Sequence, residues 1–276
     1  MAAILLALGA SLTWGVADFF GPLKARTLGA LSVLVYGQLG SLVAIAVAVA
    51  IRAKGPEDTA ALLAIPAAIS GTLGLYAYYR GVAAGAISVV SPVAGVSAIV
   101  PVIVGIASGD HPAVWQLVGI AFALVGVFLA ARESGRAGPR LAAGVGLALL
   151  AAVGFGGYFP AMHAAGNADF WWATLFFRLT STIVVVSAIA VRRPALAVAP
   201  MQVPLLVLIG IGDLLGNVFF AASSASGLVS ITSVLASLYP IVTVALARLL
   251  LAERVARSQE FGIALTLAGV VLISVS

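Results

Sequence analysis

Asp213 stands eleventh in an apolar stretch of 22 residues, 203 to 224, too deep for its carboxylate to reach water at either end. Asn217 follows four residues later, on the same face of a helix. A carboxylate held out of water beside an amide can bind an ammonium group or carry an exchangeable proton. The structural alternative is a polar pair that ties its helix to a neighbour through interhelical hydrogen bonds. Asp18 lies four residues after Trp14 and six before Lys24. It reads either as an acid facing a cavity or as an interfacial carboxylate paired with Lys24 or Arg26. Arg178, the ninth residue of the stretch 170 to 191, is the one basic residue set well inside an apolar segment. It suits a salt bridge that locks two helices, with Asp213 a candidate partner, or a bidentate grip on a substrate carboxylate.

Around these charges the sequence places hydroxyls, rings and prolines. Ser226, Ser230, Ser233 and Ser237 recur at steps of four, three and four, which sets them on one helix face, for close helix packing or for a polar lining. Trp14, Tyr76, Tyr79, Tyr158 and Tyr239 are the aromatic candidates for substrate contact, with Phe155 and Phe159 flanking Tyr158. Trp171 and Trp172 open a segment and read as membrane-interface anchors. Pro240 frees a backbone carbonyl near Ala236, which is tolerable only against protein or a wet cavity. With Pro92 and Pro101 it marks two segments as candidate bending elements.

These residues fit no familiar catalytic or metal site. His111 and His163 fall in different connections and there is no cysteine, so metal ligation and disulfides find no support, and no cofactor is expected. A Ser-His-Asp set, a His-Glu-x-x-His helix and paired catalytic acids are all missing, which weakens an intramembrane enzyme. A passive scaffold would not need Asp213, Asn217 and Arg178 at depth.

The elements that must position these groups are membrane spans. Of 276 residues, 63% are hydrophobic and 8% charged, with a mean hydropathy of +1.20. Soluble domains carry roughly a quarter charged residues. Ten segments approach the ~20 apolar residues a span needs: 2–22, 28–51, 60–80, 86–108, 113–131, 141–163, 170–191, 203–224, 228–251 and 259–275. The first has no basic leader and holds Trp14 and Asp18, so it reads as a retained span and not a cleaved signal. A net charge of +5 dispersed over short connections argues against nucleic acid as a partner. The expected partners are the lipid bilayer and a small-molecule substrate, for a monomer with a homodimer as the alternative.

The sequence repeats. Leu6 to Gly15 (LALGASLTWG) aligns with Leu147 to Gly156 (LALLAAVGFG) at a shift of 141 residues. Gly85, Ser88 and Ser91 align with Gly227, Ser230 and Ser233 at 142. Gly109 to Val127 aligns with Ala252 to Val270 at 143, matching Asp110 to Glu253, Gln116 to Gln259 and Gly119 to Gly262. Two units follow, residues 1–132 and 141–276. Five spans per unit is odd, so the second must enter the membrane from the opposite side, an inverted pair of the kind secondary transporters use. Lys and Arg number eleven in the connections after spans 1, 3, 5, 7 and 9 and two on the other side, Arg52 and Lys54. By the positive-inside rule both termini would lie outside the cytoplasm.

Trp14-Gly15 with Asp18-Phe19, the Gly85-x-x-Ser88 opening of span 4, and the Gly109-Asp110 and Ala252-Glu253-Arg254 turns continued by Gln116 and Gln259 resemble the ten-helix EamA-type transporters of the drug/metabolite transporter superfamily. The likeness covers both units. It implies an all-α integral membrane protein of ten transmembrane helices as two inverted five-helix repeats around a central cavity. It further implies a cavity lined by spans 1, 3, 4, 6, 8 and 9, with spans 5 and 10 peripheral. The implied function is secondary transport, mainly export, of small metabolites such as amino acids, amines or drug-like compounds across the plasma membrane. Proton coupling would fall to Asp213, an uncoupled facilitator being the alternative. The resemblance puts both termini in the cytoplasm, against the charge count.

Overall fold

In lipid every backbone polar group must find its partner inside the protein, and a chain rich in Ala, Leu and Val meets that demand with helices. The computed structural model describes residues 2–107, 139–224, 229–252 and 257–274, with scattered positions between 113 and 129. Asp110, His111, Gln116, Glu253 and Arg254 lie outside the described residues. No strand occurs among the described residues. The helices are α1 (Ala2–Leu28), α2 (Ala30–Arg52), α3 (Ala64–Ala84), α4 (Ile87–Gly95), α5 (Ile99–Ala107), α6 (Pro139–Arg192), α7 (Val203–Ser224), α8 (Val229–Ala236), α9 (Tyr239–Leu251) and α10 (Arg257–Ser274). Among them α1, α2, α3, α6 and α7 lie in the five segments long and apolar enough to cross a bilayer.

Three features of these helices have local causes. Predicted spans 6 and 7 are two helices, the arms of α6, that meet at a kink where the backbone leaves the helical region at Asp169 (φ −160°, ψ 103°). The amides of Trp171 and Trp172 donate to Asp169 Oδ1 at 3.0 and 3.2 Å, so this carboxylate caps the second arm. Predicted span 4 is α4, a 3₁₀ turn at Val96–Ala98, and α5. Predicted span 9 is α8 and α9 joined at Ser237 and Leu238, with Pro240 in the first turn of α9 where its missing N–H leaves no acceptor unserved. The two broken spans meet at their breaks: a methyl group placed on Gly95 would strike the Pro240 ring.

Charged contacts assign the connections to two ends of the bundle. At one end Arg52 lies 4.0 Å from Asp169 and over the Trp171 ring at 5.2 Å, while Trp172 Nε1 donates to Lys54 O at 3.0 Å. At the other, Arg26 donates from Nε to Val82 O at 3.2 Å and from Nη2 to Gly85 O at 2.9 Å. The connections after spans 1 and 3 therefore share an end, and those after spans 2 and 6 share the opposite one.

Glycines carry the closest crossings, as lipid-embedded helices require. Gly15 of α1 abuts Tyr239 O and Val242; Gly156 of α6 abuts Ser97 O and Val100. The members of these two contacts are related by shifts of 141 and 142 residues, so the sequence repeat is also a repeat of packing. Backbone meets backbone where α2 crosses α7 at Gly37 and Gly210. Ser41 Oγ sits 2.6 Å from Gly37 O and 2.7 Å from Gly210 O and ties the crossing.

A Cβ at Gly210 collides with the Gly37 main chain, which has nowhere to move. Gly210→Val is expected to cost at least about 3 kcal/mol and to abolish the monodisperse peak in detergent gel filtration. Gly146→Val, whose added Cβ meets no atom within 4 Å, leaves that peak intact.

Candidate functional site

The chemistry-bearing residues converge on one cavity between the helices. Its lining comes from α1 (Trp14, Asp18), α2 (Gln38), α3 (Gly71, Thr72, Leu75), both arms of α6 (Phe155, Tyr158, Phe159; Phe177), α7 (Asp213, Asn217) and α9 (Tyr239). The space that the centre of a water molecule can reach is about 60 Å³. One water needs about 10–15 Å³ on that measure, so four or five would fill it.

Arg178 is 1% exposed and lies at the cavity edge, against a second, smaller space shared with Gln38, Tyr79 and Asp213. Its Nη1 donates to Gln38 Oε1 at 3.1 Å. Nη2 stands 2.6 Å from Asp213 Oδ2, a charge contact off the line of a regular hydrogen bond, and Nε has no partner among the described residues. A buried guanidinium without a counter-charge is prohibitively costly, so this pair dictates how α2, α6 and α7 assemble. The Asn217 amide does not reach the carboxylate it was expected to accompany. It donates to the main-chain oxygen of Asp213 at 2.7 Å, one turn back along α7.

Asp18 is a different kind of acid. It is buried inside α1, lines the cavity, and has no ion pair or side-chain hydrogen bond among the described residues. The interfacial pairing with Lys24 or Arg26 is not what forms, since Arg26 is bound to the carbonyls of Val82 and Gly85. Tyr78 secures the helix here by donating from its hydroxyl to Asp18 O at 3.2 Å. The cavity thus faces two carboxylates, one of them paired with the guanidinium of the adjoining space.

Aromatic rings enclose the charges. Trp14 meets Tyr158 edge to face, with centroids 5.8 Å apart at 79°, and lies against Phe220 at 5.9 Å. Tyr158 also meets Phe177 at 5.4 Å, and Phe155 stands perpendicular to Tyr239 at 6.2 Å. The Tyr158 hydroxyl is buried without a hydrogen-bond partner among the described residues.

Of the residues singled out from sequence, Trp14, Asp18, Tyr158, Asp213, Asn217 and Tyr239 share this cavity, and Arg178 and Tyr79 border the adjoining space. Tyr76 is elsewhere, on the outer side of α3 between Arg80 and Arg192. Ser233 and Ser237 are buried but do not line the cavity, and the side chain of Ser230 lies outside the described ones. Pro92, Pro101 and Pro240 sit in the broken spans. Among the described residues α4 and α5 contribute nothing to the lining, whereas Gln38 and Phe177 bring in spans 2 and 7. Gln38 and Thr72 were missed as site residues; single polar residues in an apolar span, they were the signal available.

Comparison with known proteins places these features. The model of the EamA-like transporter family matches the chain twice, over residues 1–132 and 142–275. A solved crystal structure superposes with a TM-score of 0.70 at 17% identity, covering 99% of this chain and 95% of that one, a likeness of fold alone. A search of curated proteins found no match.

Removing one member of the buried pair strands the other charge. Arg178→Met is expected to destabilise by about 3–5 kcal/mol in detergent thermal melts. Adding Asp213→Asn to it should restore part of the loss, because the orphaned carboxylate is then gone.

Proposed function

Because the chain belongs to the EamA-like transporter family, we propose that it is a secondary transporter exporting small amine-bearing metabolites across the plasma membrane through the cavity beside Asp18. The observation that supports this reading is the charge balance: Asp213 is matched by Arg178, while Asp18 faces aromatic rings with no cation beside it. A carboxylate among exposed ring faces suits an organic ammonium, held by charge and by cation–π attraction. The unpartnered Tyr158 hydroxyl would orient it. The narrow space takes a compact amine or the ammonium end of a longer molecule.

On this reading Asp18, which has no ion pair among the described residues, carries the exchangeable proton, and Asp213 stays with Arg178. Cation and proton would compete for one carboxylate, which couples outward amine movement to inward proton movement. Ten spans in two inverted halves, 1–132 and 141–276, would supply alternating access. The breaks that meet at Gly95 and Pro240 are where the halves would rock.

The test uses purified protein in liposomes with a panel of radiolabelled primary and quaternary amines. An imposed pH gradient is expected to accelerate efflux, and Asp18→Asn to remove that acceleration while the protein still elutes as a folded species. Flux that ignores the gradient leaves the uncoupled facilitator. A cytoplasm-dependent reporter fused to the C-terminus decides the orientation.

A further inference from the structure

A second cavity lies at the end of the bundle where α1, α3 and α6 finish, separate from the one assigned to transport. It measures about 410 Å³ and is walled by Gly29, Ser32, Tyr76, Arg80, Arg192 and Pro194 among others. Tyr76 sits between two guanidinium groups. Arg80 Nη1 donates to its hydroxyl oxygen at 3.1 Å and Arg192 Nη1 to the same atom at 2.9 Å, so the two nitrogens are at most 6.0 Å apart. Both guanidinium carbons also lie near the Tyr76 ring, 6.0 and 5.5 Å from its centroid. No acidic residue lines the cavity, and neither arginine makes an ion pair among the described residues. Two like charges are therefore held close by the fold, with a phenol oxygen between them as the only common acceptor.

The remaining wall is a helix N-terminus. Gly29 adopts φ 81°, and α2 begins after it with no side-chain cap, so its first amides lack intrahelical acceptors. Ser32, in that first turn, is 2% exposed, lines the cavity, and its hydroxyl has no partner among the described residues.

We propose that this cavity binds a phosphate group, bridged by Arg80 and Arg192 and received by the hydroxyl of Ser32 and the N-terminus of α2. A tetrahedral oxyanion presents oxygens to two forks at once, which neutralises the enforced repulsion, and helix N-termini favour the same charge. The cavity lies where the helices end, and Leu28 and Ala195 add apolar surface to its wall. Both an anionic phospholipid and a soluble phosphate ester share the chemistry.

The experiment titrates the full chain in detergent with phosphatidylglycerol, phosphatidylcholine and, separately, inorganic phosphate, reading lipid adducts by native mass spectrometry and melting temperature for all three. Phosphatidylglycerol is expected to bind and raise the melting temperature. Arg80→Gln with Arg192→Gln should weaken it at least about tenfold, and Ser32→Ala about threefold, in line with charged and neutral hydrogen bonds. Arg193→Gln, outside the cavity, should change nothing. Both arginines are exposed, so the double variant keeps its fold, which gel filtration checks. Stabilisation by inorganic phosphate with the same dependence on the arginines identifies a soluble phosphate as the ligand; its absence identifies the lipid. Binding of phosphatidylglycerol that the double variant leaves unchanged, or no response to either probe, overturns the site.

Discussion

A guanidinium sealed among apolar helices must find its counter-charge within a few ångströms, and that demand organises the centre of this protein. Arg178 takes Asp213 from α7 and Gln38 from α2, so three helices converge on one side chain. Asp213 lines the cavity from within that pair, and Asp18 lines it with no ion pair among the described residues, so the two carboxylates stand in electrostatic settings that sequence alone does not distinguish.

The pairing in turn depends on helices approaching closely, and glycine makes that approach. At Gly37 and Gly210 two backbones touch and Ser41 bridges them, which holds α2 and α7 at the distance where Gln38 and Asp213 both reach Arg178. Gly15 and Gly156 perform matching crossings in the two halves, against α9 and against the residues around Val100. Apolar collapse cannot supply such specificity in lipid, where tails are as oily as leucine, so contact geometry does.

Much of this was legible in the sequence because membrane helices leave few polar residues to weigh. Depth in an apolar run was enough to single out Asp213 and Arg178, and the Leu6–Gly15 and Leu147–Gly156 alignment was enough to expose the repeat. What was not legible depended on rotation about helix axes. Tyr76 and Tyr79 are three residues apart, yet one turns outward to Arg80 and Arg192 and the other inward towards Arg178. Asn217 shares a face with Asp213 but spends its amide on the backbone. Of the serine ladder of span 9, Ser226 lies outside the described residues, while Ser233 and Ser237 are buried ahead of Pro240 and do not line the cavity. Spans 6 and 7 were legible as two helices, but Asp169 reads as a loop acid when it is in fact the cap of the second.

The contact between Gly95 and the Pro240 ring has a mechanical corollary. It joins carbon to carbon with no directional bond, so its energy changes little as one surface turns on the other. The Ser41 bridge, by contrast, breaks if α2 and α7 shift by an ångström. The two contacts thus differ in kind: hydrogen bonds from Ser41 fix α2 against α7, whereas shape alone sets Gly95 against the Pro240 ring.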